Sequence, residues 1–465
     1  MPTVFVPPNL TRHVPCPTTK VKGATVWAAL DDLFERVPRL RGYVLDDQGA
    51  LRQHVNVFVN DESVRDRSGL GDTLGPTDEI FIFQALSGTE PVARIKQTAF
   101  VGTRKKLFSF RRRGLHWTPA GEPAFLGEPV SAVLHDPRTA RTYAALRLGH
   151  FGVKLHRSDD NGATWHEMGV PVFAKKEAKG EDPASSDDKK KGPSVDMIWT
   201  LVAGGAEEPE TLWAGTTPGG LFRSSDGGES WHLIESLWNN PARAKWFGGG
   251  YDFPGIHSVL VDPRDARRVS IGISIGGVWR SEDAGKTWAQ IGDGMRNAYM
   301  PPDKAGDPAT QDVHRMAAPL GHPDVVWVQH HNGIFRSTDG AVTFKEIKRV
   351  KPSTFGFAVA AHPHDAKTAW FVPGVQDVQR IPVDARLVVT RTRDGGKTFD
   401  AITSGLPRKD CYDLIYRHGL DVDSEGEHLV MGSTTGNLWI GDRQGSRWAH
   451  VSGHLPPIAA VAWSR

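Results

Sequence analysis

"RSDDNGATWHEM", from Arg157 to Met168, contains the pattern that is repeated most often in this chain. The pattern is Ser/Thr-x-Asp-x-Gly-x-Thr/Ser-Trp/Phe, and here it runs from Ser158 to Trp165. It recurs in segments that end at Trp231, Trp288, Phe344 and Phe399, with successive aromatic residues 55 to 66 positions apart. Two weaker copies, "FRRRGLHW" and "GDRQGSRW", keep the glycine and the tryptophan but lose the aspartate.

A period of this length holds about four short strands, which is typical of a β-propeller rather than a helical solenoid. We therefore predict a mainly β fold with a seven-bladed propeller over residues 98–465; six or eight blades are the alternatives. The last segment, "IAAVAWSR", looks like an innermost strand, and the segment from residue 98 lacks one. We expect the two ends to share one blade, because this closes the ring and removes exposed strand edges.

The repeated motif falls on the turn between the third and fourth strands of each unit. An aspartate can accept backbone N–H bonds within such a turn, and glycine tolerates positive φ. We therefore predict a structural role, rather than a catalytic one, for the five motif aspartates: Asp160, Asp226, Asp283, Asp339 and Asp394.

Segments such as "GHFGVKLHRSDDNGATW", "PGGLFRSSDGG" and "GIFRSTDG" resemble the BNR/Asp-box propellers, which are described as sialidase-like or glycosyl-hydrolase-like. The resemblance is greatest to a bacterial group whose activity is not settled, so it implies a fold more than a reaction. A sialidase also needs three arginines, a tyrosine nucleophile with its carboxylate base, and an acidic proton donor. We find no such arginine set on successive innermost strands, so glycoside hydrolysis is only a lesser alternative.

Residues 1–88 differ in character and predict a small α+β domain. "TVFVP" indicates a strand, "TVWAALDDLFERVP" an amphipathic helix, and "HVNVFVND" and "DEIFIFQAL" alternate as half-buried strands do. This order of elements favours a β-grasp fold.

"VNVFVNDESVR" and "GLGDTLGPTDEIFIFQALSG" resemble the sulfur carriers of the MoaD/ThiS type, which are ubiquitin-like. In that family the chain ends in Gly-Gly, and its terminal carboxyl becomes a thiocarboxylate. Here Gly88 lacks a second glycine and the chain continues into a linker, residues 89–97. Carrying sulfur on Gly88 would thus require cleavage; the alternative is a domain that docks on the propeller or on a sulfur-transfer partner.

The composition excludes several classes of partner. The net charge is only +2, which gives no reason to expect nucleic acid or an acidic membrane. Two cysteines far apart predict no disulfide framework and fit a reducing compartment. We see neither a signal peptide nor a long apolar run, so a cytoplasmic protein is expected, with a small molecule or another protein as partner.

Propeller geometry places the start of each innermost strand and the loop between the second and third strands on one face. Strand starts hold His257, His314 and His418, and these loops hold His150, His330 and His331. The same face is expected to carry Trp199, Tyr251, Phe355 and Arg417 as pocket wall.

Imidazoles that converge on a channel can bind a divalent transition metal such as Zn, Fe, Cu or Mn, or act as general acids and bases. The alternative is that each histidine only packs the channel, and whether the chain is an enzyme stays open. Among the connecting segments, 170–195 is charged and expected to be a disordered insertion. Residues 235–255 are rich in aromatics and glycine, which predicts a lid or pocket wall.

Overall fold

The computed structural model describes residues 1–6, 14–46, 48–52, 55–60, 62–84, 97–113, 116–174, 193–249 and 251–464. Gly88, most of the linker and residues 175–192 of the expected insertion lie outside these ranges. The chain divides into two compact units, Met1–Lys96 and Gln97–Arg465. None of the described helices is long and apolar enough to cross a membrane.

The first unit is a five-stranded mixed sheet with two helices. Its strands are β1 (Thr3–Phe5), β2 (Thr19–Lys20), β3 (Val55–Val59), β4 (Glu62–Ser63) and β5 (Glu79–Gln84), in the spatial order β2-β1-β5-β3-β4. The helices are α1 (Val26–Arg36) and α2 (Pro38–Val44). Strand β1 pairs parallel to β5, and β3 pairs antiparallel to it, as in a β-grasp domain.

Helix α1 covers this sheet because its apolar residues share one face. Val26, Leu30 and Leu33 are fully buried, and Val55 on β3 belongs to the same core. The side chain of Thr25 caps the helix by accepting a hydrogen bond from the amide of Ala28. The amphipathic helix and the alternating strands are thus confirmed.

The second unit consists of four-stranded antiparallel sheets, seven of them in the described residues. The first three sheets along the chain are β9–β12 (Val130–Asp136, Arg141–Arg147, Val153–Ser158, His166–Met168), β13–β16 (Met197–Ala203, Leu212–Thr217, Leu221–Ser224, His232–Leu233) and β17–β20 (Ile256–Asp262, Asp265–Ile273, Gly277–Ser281, Ala289–Ile291). A 3-10 turn at Gly149–Phe151 joins β10 to β11, and a short helix α3 (Glu235–Trp238) and a 3-10 turn at Pro241–Lys245 lie between β16 and β17.

Three further sheets follow: β21–β24 (Val313–Ala317, Val326–His330, Gly333–Ser337, Lys345–Ile347), β25–β28 (Gly356–Ala361, Ala369–Pro373, Val389–Thr392, Asp400–Ile402) and β29–β32 (Leu420–Val422, Leu429–Gly432, Leu438–Asp442, Arg447–Ser452). The remaining sheet joins β33 (Ile458–Trp463) to β6–β8 (Thr98–Thr103, Leu107–Arg113, His116–Pro119). Two more 3-10 turns lie at Pro308–Thr310 and Val383–Ala385.

The innermost strands contact one another in sequence, and the series closes from β29 through β33 to β9. Closure depends on the last strand, because β33 pairs antiparallel with β6 from the other end of the unit. The expectation that the two ends share one blade is confirmed. This arrangement is a β-propeller.

The repeated turn is held by its aspartate. Asp160 accepts hydrogen bonds from the amide of Thr164 at 2.8 Å, from the Thr164 hydroxyl at 2.6 Å and from the Ser158 hydroxyl at 2.8 Å. These bonds lower the pKa of Asp160 to about 2. Asp226, Asp283, Asp339 and Asp394 make the same contacts with their own turns.

The Ser337–Phe344 copy of the repeated turn lacks the glycine of the motif. The glycine position of the Ser337–Phe344 copy is occupied by Ala341, and its φ of 72° is the left-handed value that Gly162 and its counterparts adopt. The turn geometry therefore persists at this copy without the residue that favours it.

Candidate functional site

A cavity of about 1710 Å³ opens on one face of the propeller; we call it the axial cavity. Its wall is built from the starts of innermost strands, from loops between second and third strands, and from the segments before β17 and β21, which supply Tyr251 and Tyr299. It includes Arg147, Ser131, Asp196, Trp199, Tyr251, Tyr299, Asp312, His314, His331, Phe357, Asp377, Arg380, Tyr416, Arg417, His418 and Ala459.

A recurring β-bulge aims side chains at this cavity. The pairing register of β21 with β22 skips His314, and that of β13 with β14 skips Trp199. The same irregularity leaves Ser131 on β9 and Ala459 on β33 unpaired. A bulge inserts an extra residue and redirects its side chain, so these positions no longer follow the two-residue alternation of a strand.

Three groups in the cavity wall could hold a metal ion: Asp312, His314 and His331 each present one ligand atom, all within 4.8 Å of one another. His314 Nε2 lies 3.7 Å from Asp312 Oδ1, and His331 Nδ1 lies 3.2 Å from Asp312 Oδ2. Two ligand atoms at about 2.1 Å from one tetrahedral ion would be about 3.4 Å apart. The His314–Asp312 distance is slightly longer than this value, and the His331–Asp312 distance is slightly shorter.

The protonation state of His314 adds to this geometry. Its Nδ1 lies 2.7 Å from the carbonyl oxygen of Gly356, so Nδ1 carries the hydrogen that this contact requires. Burial lowers the pKa of His314 well below its usual value, which keeps the ring neutral. Its Nε2 is then an acceptor facing Asp312 Oδ1, a buried oxygen without a hydrogen-bond partner in the described residues. Two acceptors that face each other suit a cation between them.

Several neighbours hold this set in place. The ring of Phe357 stacks on His314 with centroids 4.4 Å apart. Tyr299 contacts the edge of His331, and its pKa is raised by burial and by the nearby charge of Asp312. The backbone amide of Asp312 faces Nε2 of His330 at 3.1 Å, and this contact orients the aspartate.

Arg417 lies in the same cavity wall. Its side chain is buried, and its guanidinium carbon lies 5.0 Å from the Trp199 ring and 5.5 Å from the Phe357 ring. Among the described residues it forms no ion pair, and its Nε has no hydrogen-bond partner. Burial lowers the pKa of Arg417, and the negative charge of Asp312 opposes that shift. Of the other wall arginines, Arg147 pairs with Asp196 and Arg380 with Asp377, whereas Arg104 is exposed to solvent.

The structure separates the six histidines expected at this site. His314 and His331 come together, while His257, His330 and His418 bond to their surroundings. His418 Nε2 donates to the carbonyl oxygen of His257 at 3.0 Å, and His257 Nδ1 contacts the Ser258 hydroxyl. Burial lowers the pKa of His257, His330 and His418, so all three rings are neutral, and of these three only His418 lines the cavity.

The expectation for His150 is wrong in its geometry. His150 lies on the exposed Gly149–Phe151 turn and is not among the residues that line the cavity, because that turn points its side chain to solvent. Phe355 is also misplaced as a wall residue. It is buried and contacts the rings of His314 and His331 from outside the cavity. Trp199, Tyr251 and Arg417 line the cavity.

Segment 235–255 combines packing with a contribution to the wall. Trp246 is buried against Trp279, and Trp238 packs on Phe173 and Arg243, whereas Tyr251 reaches the cavity. The main residue that our sequence reasoning missed is Asp312. It precedes His314 by two positions in "QDVHRM", directly before β21, and a carboxylate this close in sequence to an expected metal-binding histidine was the available signal.

Comparisons with known proteins agree with the two-part architecture. Residues 17–88 match the model of the ThiS family. The chain is therefore a fusion of a ThiS/MoaD-like β-grasp domain with a β-propeller.

The propeller part is similar to xyloglucanases at low identity. A xyloglucanase from Acetivibrio thermocellus is 24% identical over 273 residues, which covers 52% of this chain and 29% of the relative. One from Hypocrea jecorina is 27% identical over 151 residues, or 29% of this chain and 16% of that protein. Each match thus spans less than a third of the relative's length.

Among solved structures, the GH74 xyloglucanase from Xanthomonas campestris superposes with a TM-score of 0.52 and 16% identity. The match covers 77% of this chain and 52% of that one. At this identity the similarity establishes the fold and leaves the reaction open.

Proposed function

We propose that the axial cavity is a metal centre in which Asp312, His314 and His331 bind a divalent transition metal. The observation that carries the proposal is the pair formed by neutral His314 Nε2 and the unpartnered Asp312 Oδ1. Two imidazoles and one carboxylate are a ligand set used for Zn²⁺ and for Fe²⁺. Cu²⁺ and Mn²⁺ are further candidates for the same site.

Three protein ligands beside a large open cavity leave coordination positions for water or a ligand. Such sites are catalytic more often than structural, since structural zinc is usually held by four protein ligands. We therefore infer a metal-dependent enzyme that acts on a small molecule, with hydrolysis as its reaction class.

Metal analysis of the purified full-length chain tests the proposal. After loading with Zn²⁺ or Fe²⁺ and dialysis, we expect about one ion per chain. Asp312→Asn should lose this ion, whereas Asp196→Asn, the same change elsewhere in the cavity wall, should retain it. Circular dichroism would establish that both variants are folded. A wild-type chain that retains no metal, or an Asp312→Asn variant that retains it fully, would refute the proposal.

Glycoside hydrolysis is a second candidate, and it is supported by the similarity to xyloglucanases. Such enzymes use two carboxyl groups rather than a metal, and the cavity wall contains Asp196, Asp312 and Asp377. Release of reducing ends from xyloglucan oligosaccharides that persists in EDTA would favour this candidate. Activity that EDTA abolishes and Zn²⁺ restores would favour the metal centre.

A third possibility is a propeller that serves only as a scaffold, with the β-grasp domain as a docking module. The three histidines that bond to their surroundings are compatible with this role. The carrier alternative depends on Gly88, and mass spectrometry of the protein from its native host tests it. A fragment ending at Gly88 with a terminal thiocarboxylate would support sulfur transfer, whereas uncut chain alone would support docking.

A further inference from the structure

We propose that the axial cavity binds a small organic acid whose carboxylate pairs with Arg417. This inference deepens the proposed metal centre, because it names the ligand class of the same cavity. Arg417 is the anchoring group, and the rings of Trp199 and Tyr251 form the adjacent wall.

The first argument is charge. A buried guanidinium normally has a carboxylate partner, because desolvation of an isolated cation is strongly unfavourable. Arg417 has none among the described residues, while Arg147 and Arg380 in the same wall are paired. Asp312 is the aspartate whose charge acts on Arg417, although the two form no ion pair. If Asp312 binds a metal, the ion and Arg417 together leave the cavity positively charged.

The second argument is geometry. Arg417 contacts Trp199 from the β13–β16 sheet and Phe357 from the β25–β28 sheet, and these rings hold its guanidinium in place. A guanidinium fixed by aromatic rings offers its in-plane N–H groups as a fork, which matches the two oxygens of a carboxylate. The partly exposed ring of Tyr251 lies 4.9 Å from that of Trp199, so an apolar ligand body has an aromatic wall beside the anchor.

The third argument is proximity to the metal ligands. Phe357 touches both Arg417 and His314, so the anchoring cation and the candidate metal ligands share one wall residue. A ligand held at Arg417 is therefore adjacent to the open coordination positions. A single ligand could then pair with Arg417 and occupy a coordination position of the metal ion.

Calorimetric titration of the metal-loaded full chain tests this, with benzoate, acetate and succinate as acids and benzamide as the uncharged analogue of benzoate. We expect at least one acid to bind tenfold or more tightly than benzamide. Arg417→Met should abolish that preference, whereas Arg380→Gln at the paired arginine should preserve it. Metal content measured in the same samples should be unchanged in Arg417→Met.

The outcomes separate the two proposals. Loss of acid binding with metal retained supports the carboxylate site. Metal-loaded wild type that binds no acid better than benzamide overturns the carboxylate site and leaves the metal centre standing. Binding of inorganic phosphate but no carboxylate also overturns it. If the chain retains no metal after loading and dialysis but still binds the acid through Arg417, the metal centre is refuted and the carboxylate site stands.

The thermal midpoint provides an independent measurement. If Arg417 serves to bind a ligand, Arg417→Met should raise the thermal midpoint of the acid-free protein, because the substitution removes a buried cation that forms no ion pair among the described residues. A lower midpoint, together with unchanged acid binding, would assign Arg417 a structural role and overturn the inference.

Discussion

His314 Nδ1 lies 2.7 Å from the carbonyl oxygen of Gly356, and this single contact directs the opposite nitrogen of the ring at Asp312. The contact joins two neighbouring sheets of the propeller, since His314 is on β21 and Gly356 begins β25. It corresponds to the arrangement by which metal-binding histidines are commonly oriented, through a hydrogen bond from the nitrogen that does not bind the ion.

Gly356→Ala should weaken metal binding although Gly356 is not a ligand. A Cβ at this position would lie 2.6 Å from the carbonyl oxygen of Val372, so the backbone must shift and carry the His314 contact with it. Disturbing such an orienting partner typically costs 10- to 100-fold in metal affinity. The control is Gly306→Ala, where a Cβ meets nothing within 4 Å. Competition with a chromogenic chelator measures both; equal affinities would contradict the orienting role.

His418→Leu should destabilise the propeller without removing the metal. The change removes one of the two hydrogen bonds that the carbonyl oxygen of His257 accepts, at a cost of about 1 kcal/mol, while Arg315 Nη1 still donates to that oxygen at 2.8 Å. His150→Leu, on the exposed turn, is the matched control and should leave both stability and metal content unchanged. Urea unfolding and metal analysis on the same preparations provide the readouts. Metal loss in His418→Leu would instead make His418 a ligand.

Asp226→Ala should lower the free energy of unfolding by about 1–2 kcal/mol, because the amide and hydroxyl of Ser230 lose their acceptor. Ser225→Ala changes the exposed neighbour in the same turn and should have little effect. Activity or metal binding should be intact in both variants. An Asp226→Ala variant with an unchanged free energy of unfolding would show that the backbone alone holds the turn.

Acid should destabilise the propeller through these same turns. The pKa of Asp160, Asp226, Asp283 and Asp394 is lowered from 3.8 to about 2 by hydrogen bonds within the turn. A group with a depressed pKa stabilises the fold above its unfolded pKa and loses that contribution as pH falls through the folded value. We therefore expect the thermal midpoint to fall between about pH 4 and pH 2. Asp160→Asn should make the thermal midpoint less dependent on pH in this range. A variant whose midpoint falls as steeply as that of the wild type would contradict the prediction.

Trp463→Ala should destabilise the propeller by about 3–5 kcal/mol, the usual cost of truncating a buried tryptophan. Trp463 is 1% exposed and lies on β33, the strand that closes the ring through its pairing with β6. Phe151→Ala, at an 82% exposed position, is the control and should be neutral. Chemical denaturation measures both, and a small effect at Trp463 would mean that closure contributes little to stability.

The fold was largely predictable because its signals are local. An aspartate, a glycine and an aromatic residue at fixed spacing make one turn by themselves, as Asp160 and Gly162 show. Helix α1 is equally local, since the apolar face from Val26 to Phe34 follows from helical periodicity. Even the replacement of glycine by Ala341 left the turn recognisable, because its aspartate and threonine remain.

The candidate site was predictable only in part. Knowing which strand ends face the channel was enough to select His314, His331, Trp199 and Arg417. The sequence could not show that His314, rather than His257, is a candidate ligand, because both residues occupy the bulged position of their own strands. What separates them is the neighbourhood: Asp312 lies beside the His314 ring, whereas the His257 ring contacts the Ser258 hydroxyl and Trp199.

The sequence by itself therefore determined the two domains, the repeated turn and the face on which function is expected, since each depends on contacts between residues close in the chain. Only the tertiary structure decided which groups meet there. A bulge changes the direction of a side chain without changing the hydrophobic pattern. Asp312 and His331 meet at the end of one strand pair, β21 with β22, whereas Arg417 reaches the same cavity only when distant segments close around one axis. Burial then completes the site, because it keeps His314 neutral and encloses Arg417, which forms no ion pair within the part of the chain that the structure describes.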